Sequence, residues 1–299
     1  MNTLQLRNSF LLLLTAVIWG VAFVAQSVGM DYVGPYTFTC VRSFIGGLFL
    51  IPCIALLNRL NPVSPGGIRP SNAKSKGQLW IGGVCCGVML CFASCFQQIG
   101  IMYTSVGKAG FITSLYIVIV PFFAYFVGQP LRRTAIIGSL LAMIGMYFLA
   151  YPTDGASFNR GDILIAICSV VWSIYILLVA RWAVHYAGFT LVAVEFFFAS
   201  IYNLVLSQLA GEVITLNHIE AALWPILYCG FLGGGLAYSF QFIGQRGVGP
   251  TEASLLLSSE TVFSVIGGWL ILGEILSGRE LVGCLFMLMG IISSQIKIK

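Results

Sequence analysis

Phe96-Gln97-Gln98-Ile99-Gly100 returns 144 residues later as Phe240-Gln241-Phe242-Ile243-Gly244, and each copy closes a long apolar run. The correspondence continues outward from these copies. Val106-Gly107 matches Val248-Gly249, and Gly128-Gln129-Pro130-Leu131 matches Gly273-Glu274-Ile275-Leu276. Gly138 and Gly145 match Gly283 and Gly290 at an offset of 145, and Val17-Ile18-Trp19 matches Val170-Val171-Trp172 at 153. Loops of unequal length produce such a drift. A chance likeness between greasy stretches would repeat Leu and Val; here Gln, Gly and Trp repeat in order.

The stretches between these marks are too apolar for a water-soluble domain. Of 299 residues 59% are hydrophobic and 8% charged, where a soluble domain carries about 25% charge. Disorder needs the opposite balance. The net charge of +5 comes from bases in short loops that form no stripe, so nucleic acid is not an expected partner. A bilayer core about 30 Å thick takes roughly 20 apolar residues as helix. Ten segments qualify, near 9–28, 35–57, 78–101, 105–127, 134–151, 161–182, 189–209, 220–244, 249–272 and 278–296. The first reads as a retained span, since no small-residue cleavage site follows it. The longest connection, 58–77, is a polar Pro- and Gly-rich linker.

With the N-terminus in the cytoplasm, 11 of the 15 basic residues fall on the inner side and three on the outer, and Arg42 lies within a span. That asymmetry predicts two cytoplasmic termini in the plasma or inner membrane of a cell. Five spans per half make the second half enter from the opposite face. The expected fold is therefore an all-α membrane protein of ten transmembrane helices, built as two inverted five-helix repeats, 1–152 and 153–299. Secondary transporters use this architecture, binding substrate near the midplane between repeats.

The order and spacing of several short motifs resemble the ten-helix EamA-type group of the drug/metabolite transporter superfamily over nearly the whole chain. They are Trp19-Gly20, Pro35 with Arg42, Ala109 to Tyr116 leading to Pro121, Gly161-Asp162 with Trp172, Ser258-Ser259-Glu260-Thr261, Leu272-Gly273-Glu274, and Gly283 with Gly290. The resemblance implies small-molecule transport, often efflux of metabolites or amino acids. In two places the chain departs from the pattern. Gly128-Gln129 stands opposite Gly273-Glu274, and Thr261 replaces a proline that often follows the glutamate, which predicts one helix kink fewer.

An ionisable residue inside a span is costly and is a functional candidate by default. Arg42 and Glu195 share the 153-residue offset of the tryptophans and so lie at equivalent depths, roughly 10 Å in. Both are candidate substrate-binding residues, for a carboxylate and an ammonium. For Arg42 the competing reading is a snorkelling side chain that holds backbone carbonyls. Glu195 is too short to snorkel and is expected in the cavity. Glu260, nearest the midplane, is the proton-coupling candidate, with a neutral helix-bridging acid as the alternative. Trp19 and Trp172, Gln97 and Gln241, and Tyr116 and Tyr238 complete a pocket of amides and aromatic faces. Glu252, after Pro250, reads as a helix N-terminal acid.

Gly83-x-x-x-Gly87 and Gly230-x-x-x-Gly234 are expected to let helices approach closely, and Gly233-Gly234-Gly235 to let the eighth span bend. All nine cysteines lie in apolar runs and read as small hydrophobes. Cys91 and Cys95 share a helix face, but no His or acid nearby would complete a metal site. No cofactor is expected. Both histidines lie in loops, and no hydrolase elbow or phosphate loop is present, which leaves an intramembrane enzyme unsupported. A channel would need a selectivity ring built by oligomerisation. The expected function is a secondary transporter that exports small metabolites such as amino acids, as a monomer or a homodimer, with proton-coupled efflux of amphipathic drugs or amines as the alternative.

Overall fold

The computed structural model describes residues 3–60, 76–104, 106–128, 133–150, 159–186, 188–272 and 278–295. The two repeats were divided between residues 152 and 153, which lie outside these residues. So do Gln129-Pro130-Leu131 and most of the linker 58–77.

The described residues are helical apart from short turns, as a bilayer demands: without water, every backbone N–H and C=O must be satisfied within its own helix. Among the described residues eight helices are long and apolar enough to cross a membrane. Segments 1 to 3 are Thr3–Gly29, Pro35–Leu60 and Lys76–Ile101. Segment 4 is broken into Val106–Thr113 and Tyr116–Phe126. Segments 6 and 7 are Arg160–Ala183 and Gly188–Leu209. Segment 8 joins Leu223–Leu227, a π-helix Tyr228–Tyr238 and Ser239–Gly244, and segment 9 is broken into Pro250–Leu257 and Glu260–Leu272. Segments 5 (Arg133–Ala150) and 10 (Gly278–Gln295) are the shorter apolar helices of the expected ten.

The repeat is visible in the packing. Segment 5 pairs with 10 and segment 2 with 7, each pair being its own image when the halves are exchanged. Segment 3 packs on 7 as 8 packs on 2, and segment 1 packs on 9 as 6 packs on 4. Individual residues repeat the pattern. A Cβ added at Gly145 would fall 2.6 Å from the carbonyl oxygen of Gly283, and one added at Gly290 would fall 2.6 Å from that of Gly138. The same two pairs were matched by offset alone. Likewise Gly87 meets the carbonyl of Glu195 while Gly230 meets that of Arg42. Reciprocal contacts of this kind are the signature of a two-fold axis.

Backbone contact at glycine is how apolar helices gain packing energy where hydrocarbon offers no hydrophobic drive. Alanine at Gly145 or Gly290 should therefore force segments 5 and 10 apart, at about 1–3 kcal/mol each. Alanine at Gly107, where nothing lies within 4 Å, should change little. Unfolding midpoints of the three variants in detergent check this; equal midpoints would show that the close approach contributes nothing.

Candidate functional site

Trp19 and Gln26 of segment 1, Arg42 of segment 2, Gln97 of segment 3, Tyr116 of segment 4, Trp172 of segment 6, Tyr238 and Gln241 of segment 8 and Glu260 of segment 9 line one cavity. Eight of the nine candidate residues thus come together, from both halves. The open space is about 40 Å³, enough for roughly three waters. Aromatic rings fill the rest. Trp19 lies 4.8 Å from Tyr238 and 6.3 Å from Trp172 between ring centroids, and Trp172 lies 6.2 Å from Tyr238. A molecule larger than a few waters fits only if these rings part.

The indole N–H groups hold the rings in place. Trp172 Nε1 donates to Gln97 Oε1 at 3.0 Å. Two-fold symmetry would give Trp19 the amide of Gln241. Instead Trp19 Nε1 donates to the carbonyl oxygen of Gly233 at 2.9 Å. Gly233 sits in the π-helix, whose counterpart in segment 3 is ordinary α-helix. Widening the turn re-aims the backbone carbonyls, and Gln241 Oε1 is left buried without a partner.

Glu260 and Tyr116 are related by the 144-residue offset, and each opens the second piece of a broken helix. The two meet: Tyr116 Oη donates to Glu260 Oε1 at 2.9 Å, with Ser114 Oγ at 3.5 Å. The missing proline at 261 does not keep segment 9 straight, contrary to the expectation from sequence. The hydroxyls of Ser258, Ser259 and Ser264 donate to the carbonyls three residues back, at 2.8, 2.6 and 2.8 Å. Such back-bonding competes with the helix ladder and bends it.

Arg42 faces the cavity. Its guanidinium lies 5.9 Å from the centre of the Phe38 ring, and its Nε is buried with no hydrogen-bond partner. Among the described residues no acid pairs with it. Glu195, expected in the cavity, is not in its lining. Its carboxyl is fully buried behind Tyr175, whose Oη donates to Oε1 at 2.8 Å, and Oε2 has no partner. The physical reason is one residue. Tyr175 corresponds by the 153-residue offset to Ala22, which lines the cavity. The alanine leaves Arg42 open, while the tyrosine covers Glu195 and packs on Trp172 and Tyr238 at 5.2 and 6.0 Å. Tyr175 was missed from sequence, although it carries the signal that singled out Tyr116 and Tyr238, a mid-span phenol.

One end of the bundle is tied across the halves by Asp162 and Glu212, and the other is tied within the second half by Arg246. At one end Asp162 accepts from Lys108 Nζ at 2.6 Å, Thr104 Oγ1 at 2.9 Å and the Asn159 backbone N–H at 2.8 Å, while the Asn159 side chain caps the helix. Glu212 caps segment 2, accepting from Tyr36 N, Thr37 N and Thr37 Oγ1 at 3.1, 2.7 and 2.6 Å. At the other end Arg246 donates to the carbonyls of Ala183 and Tyr186. Burial there, with Arg7 nearby, pulls its pKa below the usual arginine value.

The three glycines expected to act as a hinge are not equivalent. Cβ atoms at Gly234 and Gly235 would meet Phe196 and Phe49 at 2.6 and 2.7 Å, whereas one at Gly233 meets nothing closer than 3.8 Å. Gly234→Ala should cost about 1–3 kcal/mol by overpacking. Gly233→Ala should leave stability nearly unchanged and slow transport if the π-helix bends. Unfolding midpoints and initial transport rates separate the two; an unaltered rate for Gly233→Ala would remove the hinge.

The model of the EamA-like transporter family matches residues 7–151 and again 159–294. An uncharacterised transporter of Archaeoglobus fulgidus is 27% identical over 96% of the chain and 85% of its own length. One of Clostridium kluyveri is 24% identical over 95% and 91%. The uncharacterised transporter YdfC of Bacillus subtilis is 23% identical over 99% and 93%. A solved structure titled only as a crystal structure of a protein superposes with a TM-score of 0.73 at 19% identity, covering 96% of each chain, which shows the fold alone.

Proposed function

The chain belongs to the EamA-like transporter family, and we propose that it is a secondary carrier exporting small zwitterionic metabolites such as amino acids. One observation carries the reading. Arg42 Nε and Gln241 Oε1 are both buried without hydrogen-bond partners among the described residues and belong to residues of the same cavity. An unmet donor on a cation and an unmet acceptor each cost about 1–3 kcal/mol in a dry site, a cost that a bound carboxylate and ammonium would remove. The rings of Trp19, Trp172 and Tyr238 would bind the apolar part of the substrate. Glu260 stands at the broken midplane of segment 9, where discontinuous helices hold coupling ions in inverted-repeat carriers.

In this reading the cavity alternates between the two faces as one five-helix half rocks on the other, in the plasma or inner membrane, with both termini cytoplasmic. Outward movement driven by proton entry would use Glu260. Thermal unfolding against a panel of amino acids, nucleosides and amines tests the substrate class, since a ligand at 100 times its Kd adds about 2.7 kcal/mol to the bound state. Stabilisation by amines alone would favour an amine carrier built on Glu260 and the aromatic faces. A panel without a shift for any zwitterion would remove the amino-acid reading.

Glu260→Gln in proteoliposomes should keep substrate counterflow and lose the acceleration given by an imposed pH gradient, bringing that rate down to the gradient-free level. A variant that still responds to the gradient like the parent would take the coupling role away from Glu260.

A further inference from the structure

Neither the cavity lining nor the ties at the ends of the bundle use Glu195. Its side chain is fully buried within segment 7. Oε1 accepts from the Tyr175 hydroxyl at 2.8 Å, and Oε2 is buried with no partner. An ionised carboxyl in that place would be an isolated charge out of water, and such a group takes up a proton instead. The groups that border it offer no cation. They are Cys86 of segment 3, Tyr175 of segment 6 and Tyr238 of segment 8. Thiols and phenols keep their protons below about pH 8. Tyr238 in turn lies near Arg42 of segment 2 and Glu260 of segment 9. Among the described residues Arg42 forms no ion pair with Glu195.

Tyr175 joins this acid to the cavity. Its ring stands edge-on to Trp172 at 5.2 Å and 82°, and to Tyr238 at 6.0 Å and 75°. Trp172 and Tyr238 are two of the rings that must part before a larger molecule fits. Their movement removes the packing that holds Tyr175 against the carboxyl. The same phenol therefore shields Glu195 from water and rests on the rings that open.

We propose that Glu195 carries a proton while the rings are closed and releases it to cavity water when they part. Opening then exposes an ordinary glutamate, which ionises. Loss of one proton on opening favours the open rings by up to about tenfold per pH unit, the linkage of a single site. Glu195 is a positioning residue: it acts on the rings through Tyr175 and touches no substrate. Glutamine copies its protonated form, so substrate affinity near neutral pH does not depend on it. The inference rests on the carrier reading only in that the rings part during transport.

The test uses the full chain in phosphatidylcholine vesicles without substrate. Its background is Glu260→Gln, which silences the other carboxyl beside the rings. Infrared spectra follow the carbonyl stretch of protonated carboxyls as pH is raised, the Glu195 part being what Glu195→Gln removes. Acrylamide, a small neutral quencher of indole fluorescence, follows the opening, the Trp172 signal being the difference made by Trp172→Phe. The Glu195 band should fade over the pH range in which Trp172 quenching rises, and Glu195→Gln should hold quenching at its low-pH level. Tyr175→Phe keeps the ring and removes the hydroxyl. It should shift the band and leave quenching dependent on pH, so the proposal stays open to test if Glu195→Gln does not fold. Three results would each overturn it: no protonated band from Glu195, a band that fades while quenching stays constant, or quenching in Glu195→Gln that rises with pH as in its background. A chain that passes and yet gains no stability from any zwitterion keeps this proton site and loses the amino-acid reading.

Discussion

Asp162→Ala lowers the unfolding free energy by about 3 kcal/mol, the low end of the cost of breaking a buried ion pair at one partner. Asp162 is wholly buried, and its carboxylate gathers Lys108, Thr104 and the Asn159 N–H in one place. Removing it leaves the Lys108 ammonium, itself only 13% exposed, without that carboxylate and uncaps the start of segment 6. Part of the loss is the penalty of parting the Lys108 ammonium from this carboxylate. The double variant Lys108→Ala with Asp162→Ala should therefore be more stable than Asp162→Ala alone. Thermal or denaturant unfolding of the two single variants and the double one measures the coupling. A double variant whose loss equals the sum of the singles would show that the pair does not act as one. The tie joins segment 4 of the first half to segment 6 of the second, so loss of coupling should also show in transport.

Arg42→Gln should weaken binding of a carboxylate-bearing substrate by about 10- to 100-fold, the worth of a hydrogen bond to a charged group. The variant keeps a donor and removes the charge, and the parent residue has no protein acid to leave behind, so stability should hold. Arg42→Lys should recover part of the affinity. Glu195→Gln is the contrasting variant: with Tyr175 between that carboxyl and the cavity rings, substrate affinity should stay within about twofold, under 0.5 kcal/mol. Dissociation constants of the three variants for the ligand that stabilises the parent decide the matter. Undiminished affinity in Arg42→Gln would leave Arg42 a structural side chain, and a large loss in Glu195→Gln would put that carboxyl back in the cavity.

The features legible in the sequence are those fixed by solvent and by repetition. Hydrocarbon forces each apolar run into a helix of known rise, so the position of a residue along its run gives its depth. The offsets of 144, 145 and 153 match residues of the two halves, and the structure repeats their contacts: Gly145 meets Gly283 as Gly290 meets Gly138, and Trp19 lies beside Trp172. Depth and pairing together were enough to bring eight candidates to one cavity.

Neither depth nor pairing says what stands in front of a side chain. Arg42 and Glu195 sit at matching places on matching helices, and their exposure to the cavity is decided by Ala22 and Tyr175 on a third pair. Gln97 and Gln241 are equivalent in sequence and unequal in bonding, because the segment of Gln241 widens into a π-helix just before it and the segment of Gln97 does not. Segment 9 breaks at Ser258-Ser259 without its proline, as segment 4 breaks at Ser114-Leu115 in the other half, a feature that no spacing rule carries. The sequence by itself determined a membrane-spanning helical protein of two matched halves, since the bilayer and the repeat act on each segment separately. Only the tertiary structure decided which of two equivalent polar residues faces the cavity, since that depends on contacts among three helices at once, where one substitution in one half removes the symmetry.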